Sequence, residues 1–255
     1  MTRSSSLLRD CAAATAVGVA VLVSTLPAAA TEPDSAAAAA SSDGWRYSVS
    51  PYVWVATIAG DFGADGAQGS TETDYSFWAL ENLKGYWAVH FDARASRWGW
   101  FADALHVEYG DEFTRPNLTT SLGVAGEIYE VGGLYGLRDD FGFAVLAGLR
   151  RVDLKVSVAL TPGPDGDARE SFTDPYVGVE WSHPLAEHWY VEARGDYGSG
   201  SARSQVQALA KFAYRFSGRL EAFGGYRYLK VDFESSGELL NLTAAGPGFG
   251  FSWRW

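Results

Sequence analysis

Four histidines and a run of alternating charges are the residues of this chain with a capacity for chemistry. His90 lies two residues before Asp92, and His106 two before Glu108. In an extended strand, residues two apart share a face, so each histidine stands beside a carboxylate. If a three-residue turn pairs the two segments, His90 and His106 face each other with the carboxylates Asp92 and Glu108 diagonal to them. Such a set has metal-ligand character, and it serves equally as a hydrogen-bonded network that needs no metal. His183 adjoins Ser182, but neighbours on a strand point to opposite faces, which removes that nucleophile–base pair. No G-x-S-x-G elbow and no phosphate loop occurs.

The charges continue along the chain. Asp92, Arg94, Asp153, Lys155, Glu180, Glu192, Arg194, Asp196, Lys211, Arg215, Lys230, Asp232 and Arg254, together with His90, His106 and Glu108, fall where alternation places one inward face. Glu192, Arg194 and Asp196 are the clearest set, sharing one side of Trp189–Tyr197. Both signs occur in similar number. Two readings stay open: paired side chains that fill a narrow lumen, or a small pore whose selectivity the charges set.

Strands must hold these groups, because after Gly44 the apolar residues alternate. Ten segments follow: 45–60, 85–95, 99–111, 119–136, 142–160, 171–183, 188–198, 204–216, 219–234 and 238–255. Each meets or exceeds the roughly ten residues a tilted strand needs to cross a bilayer. Tight turns at 96–98, 138–141, 184–188 and 217–219 alternate with longer polar connections around 110–117, 161–170, 199–203 and 234–238. Short and long connections on opposite ends are the pattern of a closed antiparallel up-and-down transmembrane barrel, with the chain ends on the short-turn side. Ten strands are expected; twelve result if 68–76 and a partner join the wall. Residues 61–84 form a long first loop with a short helix over Phe77–Leu83. Asp103, Arg150 and Arg227 break the phase of their charged neighbours, which predicts β-bulges in those strands, the alternative being that some of these charges sit at the headgroup level, where the cost is small.

The amino end has the form of a secretory signal. Arg3 and Arg9 precede an apolar stretch from Ala12 to Leu26, too short to span a bilayer comfortably, and Ala28–Ala30 offers a small-residue cleavage site. Cleavage after Ala30 removes two arginines and one aspartate, moving the formal charge from −11 to −12. It also removes Cys11, the one cysteine, so no disulfide framework is available and a hydrogen-bonded sheet must carry stability. Residues 31–44, rich in Ala and Ser, are a disordered leader. The acidic balance excludes nucleic acid as a partner. No residue pattern calls for a cofactor.

The carboxyl end supplies the strongest signal. Phe249, Phe251, Trp253 and Trp255 alternate with small or polar residues, putting four aromatics on one strand face. This strand resembles the closing strand of Gram-negative outer-membrane barrels, the signal that the barrel assembly machinery recognises. Other stretches share the likeness: Ser50–Trp54, Phe91–Arg94, Trp98–Asp103, Ala147–Arg150, Asp174–Gly178 and Gly225–Asp232. Together they resemble proteobacterial outer-membrane β-barrel proteins in the style of the small OmpA and OmpW barrels. The resemblance implies eight to twelve strands, contact with outer-membrane lipid and no catalytic residues to carry over. The function expected is an envelope barrel, structural or narrowly conducting. The alternatives are a small-solute porin and a lipid-modifying enzyme.

Overall fold

The computed structural model describes residues 44–64, 67–73, 83–115, 118–138, 142–161, 165–235 and 238–255. Residues 1–43, with the expected signal and nearly all of the leader, lie outside these. Every element is a strand: β1 (Arg46–Trp54), β2 (Thr57–Ala64), β3 (Ala67–Thr73), β4 (Leu83–Ala95), β5 (Trp98–Arg115), β6 (Leu118–Gly136), β7 (Phe143–Thr161), β8 (Asp165–Pro184), β9 (Trp189–Gly198), β10 (Ser204–Arg215), β11 (Leu220–Ser235) and β12 (Glu238–Arg254).

The strands form one antiparallel sheet that closes on itself where β1 pairs with β12. β2 prolongs β1 on the same partner, with Thr57 opposite Ala245 just as Trp54 is opposite Gly248. β3 folds back on β2, while β4 takes the other edge of β1. The wall therefore has ten positions, as the alternation predicts, and the β2–β3 hairpin adds height rather than circumference. Closure pairs β1 on both sides, with β12 and with β4, which satisfies backbone amides that an open sheet would leave unpaired. The β1–β2 break at Val55-Ala56 sits against Gly246, where a Cβ would lie 1.8 Å from the Val55 carbonyl oxygen. Only glycine lets the wall close there.

The predicted bulges are absent. Pairing is continuous along β5, β7 and β11, and among the described residues the one register shift falls between Leu83 and Gly85. The expected first loop is also shorter than 61–84: Asp61–Ala64 belong to β2, Ala67–Thr73 form β3, and Leu83-Lys84 open β4. The helix expected at 77–83 lies outside the described residues except for Leu83.

Four tight connections, at 96–97, 137–142, 185–188 and 216–219, mark what we call the near end, where β1 begins and β12 finishes. The β4–β5 turn has two residues, and Ser96 takes the positive φ (50°) that such hairpins require. Aromatic rings girdle this end outside the barrel. Tyr47 stacks on Trp255 at 5.9 Å, Trp98 meets Tyr135 edge-on at 4.9 Å, and Trp189 packs on Tyr214 at 4.9 Å. Phe249, Phe251, Trp253 and Trp255 are each 50–57% exposed, so the closing strand presents its aromatic face outward.

Candidate functional site

Alternation sends every second side chain into the lumen, and the lumen has three layers. At the near end Arg94 donates to Asp92 (2.8 Å) and reaches across to Glu180 (2.8 Å). Lys211 pairs with Glu192 at 2.8 Å, and Arg254 pairs with Glu221 and donates to the Tyr190 hydroxyl. Arg215 lies over the Tyr190 ring.

The middle layer is a knot around Glu130 of β6. Its Oε1 accepts from Arg150 Nε (3.0 Å) and Arg227 Nη2 (2.8 Å), and its Oε2 from Arg194 Nη2 (3.0 Å). Asp196 accepts from Arg150 (2.7 Å) and Arg194 (3.1 Å), and Gln207 bonds both Asp196 and Arg227. Arg227 also donates to the Tyr52 hydroxyl, which donates to Asp103; the second oxygen of Asp103 meets His90 Nδ1 at 3.2 Å. β11 and β6 stand five wall positions apart in a ring of ten, so Arg227–Glu130 spans the full diameter. Arg150 and Asp174 are completely buried. Charges so far from water persist because each meets partners of opposite sign; deleting one strands the rest.

Above the knot the lumen turns apolar. Trp54, Leu105, Ile128, Val152, Phe172, Leu229 and Val231 pack as a buried cluster, and Ala202 joins them from the β9–β10 connection. That connection folds inward. The amides of Ser201 and Ala202 both donate to the Asp174 carboxylate, which also accepts from Gln205 (2.7 Å). A Cβ at Gly200 would stand 2.6 Å from Asp174 Oδ1, so glycine admits the carboxylate. Two consecutive amides on one carboxylate form a small anion nest, and here it ties the connection over the lumen.

Of the residues expected to line the lumen, His90, Asp92, Arg94, Glu180, Glu192, Arg194, Asp196, Lys211, Arg215 and Arg254 do so. His106, Glu108, Asp153, Lys155, Lys230 and Asp232 do not; they lie on the exterior. The two-residue β4–β5 turn sets His90 opposite Asp103 and His106 opposite Trp87. His106 stacks on the exposed Trp87 ring (6.0 Å) and meets Glu127 at 3.2 Å, outside the wall. The two histidines are therefore on opposite faces and form no common ligand set. Asp103, Arg150 and Arg227, which looked out of phase, are lumen residues in phase. Glu130, Asp174, Gln205, Gln207, Glu221, Tyr52 and Tyr190 were missed altogether. The exposed residues Trp98 and Trp100 on β5, and Val145 and Leu149 on β7, carry the signal that would have set the phase.

No protein family matches the chain, and no curated protein matches it. Among solved structures, the outer membrane protease OmpT from Escherichia coli is similar with a TM-score of 0.53 at 8% identity, over 83% of this chain and 96% of that one. Ail, the attachment invasion locus protein of Yersinia pestis, solved with the heparin analogue sucrose octasulfate, gives 0.41 at 9% identity over 84% and 99%. The P. putida toluene transporter TodX gives 0.30 at 12% identity over 83% and 90%. A protease, an attachment protein and a transporter share little but architecture, and at these identities the likeness is one of fold alone. The chain has the fold of a small bacterial outer-membrane β-barrel.

Proposed function

We propose that the protein is a non-catalytic outer-membrane envelope barrel whose lumen is closed by its own side chains. The Glu130 knot carries this reading: three guanidinium groups from β7, β9 and β11 converge on one carboxylate and cross the lumen at its full width. Opening a water path through it would separate paired buried charges, which is costly. Its charged groups are also engaged with one another, His90 with Asp103 included, rather than presented to a substrate.

The test is planar-bilayer recording on the folded protein. The wild type should be electrically silent, and Arg194→Ala combined with Arg227→Ala should conduct; a steady open conductance in the wild type overturns the reading.

Export follows a signal cleaved after Ala30, and amino-terminal sequencing of membrane-fraction protein checks it. The near end faces the periplasm, as short turns do in such barrels. Assembly depends on the closing strand, whose Trp255 exchanges both backbone hydrogen bonds with Tyr47 at 3.1 Å. Trp255→Asp should lower the yield of heat-modifiable barrel while secretion across the inner membrane continues; normal yield counts against recognition of this strand by the assembly machinery.

A further inference from the structure

On the outer face of β7, apolar side chains stop abruptly. Val145, Ala147 and Leu149 are exposed on the same face that continues as Arg151, Asp153 and Lys155. Leu149 is thus the last exterior residue suited to hydrocarbon, and Arg151 begins the level where lipid headgroups lie. Tyr129, directly opposite Arg151 on β6, marks the same boundary with an amphipathic ring.

Asp153 lies on this exterior face yet is only 5% exposed. Arg169 of β8 grips it through two bonds, Nε to Oδ1 at 2.8 Å and Nη2 to Oδ2 at 2.7 Å, and Arg151 Nη2 adds a third at 3.3 Å. The carboxylate fixes two arginines whose side chains are themselves 64% and 48% exposed. Lys155 sits directly across the strand pair from Arg169. Two cations face to face on a sheet repel each other unless an anion lies between them. One aspartate does not neutralise three cations, and Glu127, opposite Asp153 on β6, is engaged by His106 and the Tyr129 hydroxyl.

We propose that Arg151, Lys155 and Arg169 bind the phosphorylated headgroup of an outer-leaflet lipid, with Asp153 as the positioning residue. The inference rests on the membrane placement given above. The height commits the site to a lipid rather than a free anion: its floor is the apolar wall, along which acyl chains run while the phosphate meets guanidinium and ammonium groups.

Native mass spectrometry of the folded full-length barrel in detergent tests it, with diphosphorylated lipid A, its dephosphorylated form and inorganic phosphate as probes. The wild type should retain one diphosphorylated lipid. Arg151→Gln, Lys155→Gln and Arg169→Gln together should weaken retention about tenfold or more, and the dephosphorylated lipid should not distinguish the proteins. Asp153→Asn separates an organised site from general attraction: it makes the patch more positive, yet should weaken binding because the arginines lose their anchor. Equal retention by the triple variant, tighter binding by Asp153→Asn, or displacement of the lipid by equimolar inorganic phosphate would each overturn the proposal. Heat-modifiable mobility confirms folding of every variant, and Arg169→Gln alone replaces the triple variant if that one fails to fold. Absence of any folded, detergent-bound barrel would instead strike at the membrane placement.

Discussion

The two ends of this barrel are built on opposite plans. In the near half the exterior is apolar and aromatic while the interior is charged, as lipid on one side and a paired ionic lumen on the other require. In the far half Trp54, Leu105, Ile128, Val152, Phe172 and Leu229 are inside, while Arg151, Asp153, Lys155 and Lys230 are outside, which is how a water-soluble protein is arranged. The change occurs within about two residues on β7, between Leu149 and Arg151. One wall of continuous strands thus carries the pattern of a membrane-spanning barrel below and of a water-soluble protein above, and the surroundings that each pattern suits decide which side chains each half can bury.

The contrast breaks most easily at the Glu130 knot. Glu130→Ala removes the shared acceptor of three buried arginines and should destabilise the barrel by about 3–5 kcal/mol, measured as a shift of urea unfolding in lipid vesicles. A loss under about 1 kcal/mol would mean the near-half lumen is wet, and the two halves would differ less than described. In the far half the cost should come from packing: Leu229→Ala, at 2% exposure, should lose about 2–4 kcal/mol by the same measurement. Exchanging it for Asn and finding the same stability would show that this layer is not a dry core.

The outer faces give a paired experiment. Leu149→Arg puts a charge into the hydrocarbon level and should cost about 2 kcal/mol, whereas Lys155→Leu, two repeats of the pleat beyond Arg151, should change stability by less than about 0.5 kcal/mol. Equal effects would move the boundary. Asp174→Asn weakens the nest under Ser201 and Ala202 and should cost about 1–2 kcal/mol. Its clearer readout is reactivity. Cys11 is the one cysteine of the chain, so with Cys11→Ser in place Ala202→Cys reports this one connection, and maleimide labelling there should accelerate in the Asp174→Asn background.

The same inversion explains what could be read from the amino-acid sequence. Strand number, order and most boundaries were legible because alternation and turn residues are local: nine of the ten expected segments match single strands, and the first corresponds to β1 and β2. Facing was legible where strands end in aromatics, as at Glu192–Asp196, which follows Trp189. It failed on β5, β7 and β11 because charge was used as the mark of the lumen along their whole length. β7 has 19 residues, but roughly ten suffice to cross the bilayer. Beyond that point water lies outside as well, so His106, Glu108, Asp153, Lys155, Lys230 and Asp232 are free to point outward. The knot itself was illegible for another reason. Whether Glu130 meets Arg227 depends on how ten strands are sheared around a ring, a property of closure that no single strand contains.

Closure has a further consequence, in time. Most seams of the wall join strands that follow each other in the chain and can form as hairpins, each closing a short loop. The β1–β12 seam is different: the Ser50 and Ser252 hydroxyls that meet there at 2.7 Å are 202 positions apart in the chain. That single pairing raises the average sequence separation of contacts and makes the final zipping the slow event of folding. A circular permutant that ties the two ends together and opens the chain at a near-end turn would keep every pair in the wall, yet relocate the slow seam.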